Sequence, residues 1–137
     1  MMETVRPPIR EVFEVWKENM ENVVGKGNCT MEKSRTLAKF KKFARMFLMG
    51  NPGSRWDLEG DECGTNLSFQ IDSFASGQEA LSIVYDIDSA SHEVMTKLGF
   101  RRSYGPEMTE DDSNIKRVTS RYTRFYTGQL NAEQDVF

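Results

Sequence analysis

Cysteine and histidine are scarce in this chain, with two cysteines and one histidine in 137 residues. Cys29 and Cys63 lie far apart and neither belongs to a CxxC pair. With His92 they give no recognisable metal-ligand spacing, so no structural metal is expected. A disulfide is not expected in a reducing compartment. No run of about 18 apolar residues occurs, so no membrane-spanning helix is expected. The first residues, Met-Met-Glu-Thr-Val-Arg-Pro-Pro, lack the apolar stretch of a signal peptide, and the expected place of synthesis and residence is the cytoplasm. Internal repeats and low-complexity tracts are also missing.

What remains is the composition of one folded domain. Apolar residues make up 38% and charged residues 28%, which excludes a disordered chain. The net charge of −3 is unevenly spread. Lys33, Arg35, Lys39, Lys41, Lys42 and Arg45 follow one another with no acid between them. The acids gather at Asp57, Glu59, Asp61 and Glu62, and again at Glu107, Glu110, Asp111 and Asp112. A chain divided in this way is suited to pairing with copies of itself or with a charged partner.

Periodicity predicts the elements. Ile9, Val12, Phe13, Trp16, Met20 and Val23 share one helical face, with Pro8 in the first turn and Gly25 and Gly27 beyond the end, so residues 8–24 read as a helix. Thr30 as N-cap and the stripe Leu37, Phe40, Phe43, Ala44, Phe47 and Leu48 predict a second, basic helix over 31–49. Residues 54–65 are polar and read as a loop. Leu67, Phe69 and Ile71 then alternate with polar residues, which predicts a strand over 66–73. Residues 80–87 fit either a strand or the start of a helix running to Leu98, and periodicity leaves the choice open. Gly99 suits a helix C-cap. A short strand is expected over 100–104, an acidic loop over 105–114, a strong strand over 115–127 and a polar tail over 128–137. The fold class is therefore α+β, an antiparallel sheet of about four strands packed with helices.

Few residues suggest chemistry. Asp86 and Asp88 form a DxD pair of the kind a metal-dependent transferase can use, but Asp88 with Ser89 also suits a helix N-cap, the simpler reading. His92 lies near Ser89, Ser91 and Glu93, yet a triad requires geometry that local sequence does not supply. Gly25-Lys26-Gly27 lacks the spacing of a phosphate-binding loop. No catalytic residue, cofactor site or metal site is expected. The last strand interleaves Arg121 and Arg124 with Tyr122, Phe125 and Tyr126, so its two faces both carry cations. That pattern predicts a strand that meets a partner or lines a sheet edge.

One stretch resembles a known family. Asn66-Leu-Ser-Phe-Gln-Ile-Asp-Ser-Phe74 is followed by a segment ending Met95-Thr-Lys-Leu-Gly-Phe-Arg-Arg102, then by acids, then by Arg117-Val-Thr-Ser-Arg-Tyr-Thr-Arg-Phe-Tyr126. This order resembles the tail-completion proteins of long-tailed bacteriophages, also called tail terminators or tail-to-head joining proteins. The matching residues are Phe69 to Asp72, Leu98 to Arg102 and Arg121 to Tyr126, within about half the chain. The resemblance implies one long helix over 78–98 and a structural, non-enzymatic role. It implies a ring-forming subunit, typically sixfold, in the virion neck, which stops growth of the tail tube and docks on the head connector. Partners would be copies of itself, the connector and the tube protein, with genomic DNA passing through unread. Candidate interface residues are then Arg101, Arg102, Lys116, Arg117, Arg121 and Arg124, the acids Glu107, Glu110, Asp111 and Asp112, and Lys39 and Lys42 of the basic segment. Two other readings stand beside it. Ser89–Phe100 resembles the last helix of GNAT acetyltransferases, whose Leu-Gly-Phe turn is present without an upstream pyrophosphate loop. The basic segment suits a small nucleic-acid-binding regulator.

Overall fold

The apolar residues that recur every third or fourth position select the helices. A computed structural model describes residues 8–31, 41–49, 53–56, 62–111 and 115–126. Its elements in chain order are α1 (Ile9–Val24), β1 (Cys29–Thr30), β2 (Lys42–Leu48), β3 (Gly53–Trp56), β4 (Glu62–Ser76), α2 (Ala80–Lys97), β5 (Arg101–Asp111) and β6 (Ile115–Tyr126). In α1, Val12, Trp16, Met20 and Val24 are buried at four-residue intervals. The Val12 N–H donates to Pro8 O at 3.0 Å, so Pro8 occupies the cap just ahead of the first turn.

α2 settles the ambiguity at 80–87. Ala80, Val84, Ile87, Ser91 and Met95 are buried on one helical face, whereas Leu81 and Tyr85 are exposed. Its end is fixed by Gly99, whose φ of +87° places it in the left-handed region that glycine enters without a Cβ clash. The Gly99 N–H donates to Thr96 O at 3.0 Å and the Phe100 N–H to Met95 O at 2.9 Å, the paired bonds of a Schellman motif. Phe100 then packs edge-on against Phe69 of β4, with centroids 5.6 Å apart. The Leu-Gly-Phe sequence thus turns the chain and anchors the next strand in the core.

The two helices pack on one face of a single, mostly antiparallel sheet, giving one α+β domain. The strand order is β1-β2-β4-β6-β5, with β3 pairing to β4. Among the described residues only β1 and β2 are parallel neighbours. The central strand, β4, pairs with β2 over Phe69–Ala75 and with β6 over Thr65–Ser76. Under the helices lie Ala44, Met46, Leu67, Phe69, Ile71 and Tyr122, packed with Trp16, Met20, Ile87 and Met95. A smaller cluster of Ala75, Ala80, Val84 and Val118 continues this core toward the start of α2.

Several expectations are corrected. The predicted helix over 31–49 is a strand at Lys42–Leu48, and its supposed cap, Thr30, lies in β1 opposite Arg45. The residues of β2 fit period two as well as period 3.6, and pairing along β4 decides between them. Residues 32–40 lie outside the described residues. The predicted loop over 54–65 contains β3 and the first residues of β4. The predicted short strand and acidic loop form one strand, β5, as far as Asp111, with three register shifts against β6. Gly105 permits one of them. Its φ is +88°, and a Cβ there would stand 2.3 Å from Thr119 O. The arginine-bearing strand β6 is no edge, since it lies between β4 and β5. The polar tail from 128 lies outside the described residues.

Candidate functional site

Two buried aspartates organise the polar groups, one on each face of the sheet. Asp88 projects from the inner face of α2 and is 3% exposed. Its Oδ2 accepts from Arg102 Nη2 at 3.0 Å and its Oδ1 from Ser120 Oγ at 2.6 Å. The same Arg102 Nη2 donates to the Tyr122 hydroxyl at 2.9 Å, and that hydroxyl lies 3.4 Å from His92 Nδ1. Arg102 Nε is buried without a partner. The assembly ties α2 to the start of β5 and the middle of β6. Burial pushes the Tyr122 phenol above its ordinary range; the hydrogen bond from Arg102 opposes this and the Asp88 charge adds to it. Tyr122 therefore stays protonated at neutral pH. It is fully buried, so it offers no reacting atom to a substrate.

Asp88 is mid-helix and not a cap, which corrects the expected capping role. Its DxD partner, Asp86, is exposed, because residues two apart on a helix face nearly opposite ways. The pair cannot share a metal. Among the described residues no group of three or more His, Cys, Asp or Glu side chains is placed to hold one. His92 packs on the Tyr122 ring at 5.9 Å. Its neighbours do not converge on it. Ser91 Oγ accepts from Trp16 Nε1 at 2.8 Å, and Glu93 pairs with Lys97 at 3.7 Å. No described helix is long and apolar enough to cross a membrane.

Asp72, in β4, is fully buried on the other face. Its Oδ2 accepts from Arg45 Nε at 2.9 Å, and its Oδ1 from Thr119 Oγ1 at 2.8 Å and Gln70 Nε2 at 3.1 Å. Thr119 meets Thr109 at 2.8 Å, and Arg117 Nε donates to Thr109 Oγ1 at 3.0 Å. Arg121 Nε donates to Gln70 Oε1 at 3.1 Å and lies over the Tyr104 ring at 4.7 Å. The Arg45 guanidinium covers Phe74 at 5.1 Å. These bonds cross β2, β4, β6 and β5 in turn. No described helix covers this face.

The expected interface residues divide between these settings. Arg102 belongs to the inner network, and Arg117 and Arg121 to the outer one. Arg124 reaches past the end of α2 and donates to Leu98 O. Lys116 pairs with Asp111, and Arg117 lies 4.0 Å from Glu110, so these acids are matched within the hairpin. Arg101 and Glu107 are exposed on β5, and Lys42 opens β2. Lys39 and Asp112 lie outside the described residues. The cations of β6 occupy both faces because Lys116 and Arg124 sit toward the strand's ends, while Val118, Ser120 and Tyr122 fill the buried middle. Sequence reasoning missed Asp72 and Ser120 as network residues. An aspartate inside the alternating Phe69–Phe74 run was the available signal. No protein-family model matches the chain, and no curated protein matches it.

Proposed function

We propose that this chain is a non-enzymatic assembly subunit of a long-tailed bacteriophage, of the tail-completion type. In this reading copies of the chain form a ring, typically sixfold, that ends the tail tube and joins it to the head connector. One observation carries the proposal. The segments that resemble the family, Phe69 to Asp72, Leu98 to Arg102 and Arg121 to Tyr126, belong to one continuous unit, β4–α2–β5–β6, in which β6 lies between β4 and β5. The described polar clusters fit a structural role, because their carboxylates and hydroxyls are bonded to one another under burial. Such networks specify a packing arrangement instead of presenting a reacting group. The charges exposed at the sheet edge, with acids and bases on the same hairpin, suit contacts whose register matters more than their strength.

The edge itself refines how copies meet. β5 is one edge of the sheet among the described residues, and its three register shifts and Pro106 interrupt the row of groups that a neighbouring strand would use. Continuous strand addition along β5 is therefore disfavoured, and ring contacts are expected elsewhere. The test is location. Quantitative mass spectrometry of purified virions, with labelled electron microscopy, should place a small fixed number of copies at the neck. Removing the gene should leave filled heads and unjoined tails. Absence from the virion, or joined particles without the protein, would overturn the reading.

A further inference from the structure

We infer that the acidic outward stripe of α1 in one copy of this chain docks on the arginine-bearing corner of the outer sheet face in a second copy. The inference rests on the self-assembling subunit proposed above and names its contact. Alternation builds the corner. Arg102 and Tyr122 face the helices, so Arg121, Thr123 and Phe125 of β6 face the other way, as does Arg101 of β5, opposite Thr123. Tyr104 stands opposite Arg121, whose guanidinium lies over the tyrosine ring at 4.7 Å. The Arg121 Nε donates to Gln70 Oε1 at 3.1 Å, so this guanidinium is held in place before any partner arrives. Among the described residues neither Arg101 nor Arg121 forms an ion pair. The acid nearest in register, Glu107, stands opposite Thr119 and pairs with neither. The two ends of this face also differ. Phe43 and Phe74 are buried at one end, whereas Tyr104 and Phe125 are 37% and 40% exposed at the other. Arginine on a fixed support beside exposed aromatic rings is the composition of a protein-contact centre.

Charge selects the occupant. α1 buries Val12, Trp16, Met20 and Val24, so its opposite face carries Glu11, Glu14 and Glu18 around Val15, all four exposed. Arg10 and Lys17 lie about a quarter-turn to one side of this stripe. Among the described residues the three glutamates form no ion pair. α2 offers no equal, since its outward residues Leu81, Ser82, Tyr85 and Ser89 are uncharged and Glu93 is paired with Lys97. Glu11 to Glu18 rises about 10 Å at ~1.5 Å per residue, and Arg121 to Phe125 runs about 13 Å at ~3.3 Å per residue, so stripe and corner match in length. Val15 gives the stripe an apolar centre to set against Tyr104 and Phe125. The two surfaces do not meet within one chain. α1 packs on β1, β2 and α2, on the helix side of the sheet, and the corner belongs to β5 and β6 on the other side. A contact between two different surfaces is head-to-tail, and it closes into a ring or runs on as a filament. It leaves the interrupted edge of β5 unused.

The test uses two charge-reversed variants of the full chain, Glu14→Lys with Glu18→Lys, and Arg101→Glu with Arg121→Glu. Arg121 belongs to the outer network, so Arg101→Glu alone takes the place of the second variant where that variant fails to fold. Sedimentation velocity and native mass spectrometry at low and high salt report association, and circular dichroism confirms folding. The wild-type chain should associate at low salt and come apart at high salt. Each variant alone should stay monomeric at low salt, because it sets like charges against each other. Mixed one to one, the two variants should associate again, because the reversed stripe of one meets the reversed corner of the other and the remaining surfaces are native. A wild-type chain that stays monomeric at low salt overturns the inference, as does a mixture of folded variants that remains monomeric. Association lost in the arginine variant but kept in the glutamate variant also overturns it, and assigns the corner to a different acidic partner. These outcomes are separate from virion location. A chain absent from virions whose variants associate only when mixed keeps the contact and loses the phage role. A chain at the neck whose association ignores both variants keeps the role and loses the contact.

Discussion

The two buried aspartates of this fold are solved differently. Asp88 projects from the buried face of α2 and accepts from Arg102 and Ser120, while Arg102 uses one nitrogen for both Asp88 and Tyr122 and leaves its Nε without a partner. Asp72 sits on the face that no described helix covers, and it accepts from an arginine, a threonine and a glutamine at once. A buried carboxylate is tolerable only when its lone pairs are used, so redundancy decides how much each arginine matters. Asp88 depends on one charged donor and one hydroxyl. Asp72 has two neutral donors in reserve. The inner network is brittle and locks α2 to the sheet. The outer one is distributed across four strands, so loss of any one bond leaves the others in place.

The largest expected effect breaks the brittle side. Arg102→Ala leaves Asp88 with Ser120 alone and strips a donor from Tyr122, so a loss of about 3–5 kcal/mol is expected, as for other broken buried pairs. Urea unfolding at neutral pH measures it. Arg45→Ala leaves Asp72 with Thr119 and Gln70 and is expected to cost less, about 1–3 kcal/mol. The order of the two is the test. If Arg45→Ala proves the more costly, the redundancy argument fails, and the outer face is the one that carries the fold.

How much of this was legible in the sequence depends on where each residue's partner lies. α1 was readable because a helix completes its own hydrogen bonds and its buried stripe is written locally at 12, 16 and 20, whereas the first half of α2 fitted a strand as well, and its stripe at 80, 84, 87, 91 and 95 is settled by packing on the sheet. Gly99 announced the end of α2 for the same local reason. β2 was misread because Phe43, Ala44, Phe47 and Leu48 satisfy a helical stripe, while the pairing that makes them a strand comes from β4, which begins fourteen residues after Leu48. The acidic stretch 105–111 looked like a loop since its alternation is broken by register shifts whose cause, Gly105 against Thr119, is a cross-strand contact. Arg102 was read as a candidate interface residue, whereas its guanidinium is engaged by the buried Asp88 and Tyr122. Nothing local distinguishes it from Arg101. Only the buried carboxylate on α2 does so.

A smaller effect separates the faces by pH. Cys29 and Tyr122 both lie in the core under the helices. Burial, with Glu21 adding to it and Lys17 opposing, pushes the Cys29 thiol from its ordinary 9.0 up to about 12. A raised folded-state value favours the protonated form, so its stabilisation is complete below pH 9 and is lost as pH rises from about 9 toward 12. Tyr122 acts in the same direction above its own ordinary value of 10.0. The urea midpoint should thus stay level with respect to these groups up to pH 9 and fall beyond it, and Cys29→Ala should remove the earlier part of the fall. Peptide-resolved alkylation at pH 8 should find Cys29 unreactive until the chain unfolds. Modification of native Cys29 at the rate of a free thiol would place it outside the packed core and sever it from the helix-face comparison.

The smallest effect belongs to the hairpin charges. Asp111 pairs with Lys116 and Glu110 with Arg117 across β5 and β6, and the acids are well exposed. Exposed pairs gain little Coulomb energy in water and lose side-chain freedom, so each is worth at most about 1 kcal/mol. Asp111→Lys sets two like charges opposite each other, yet Lys116 is free to swing into solvent. Its cost to folding is expected to stay below about 1 kcal/mol and to shrink as salt is raised. The same substitution should leave both aspartate networks intact, because neither Asp111 nor Lys116 touches them. A double-mutant cycle between Asp111→Ala and Lys116→Ala, read by urea unfolding at two salt concentrations, measures the coupling directly. A coupling near that of the Arg102–Asp88 pair, or one indifferent to salt, would show that the hairpin charges are shielded from water. The contrast between a buried inner network and a solvated rim would then have to be redrawn.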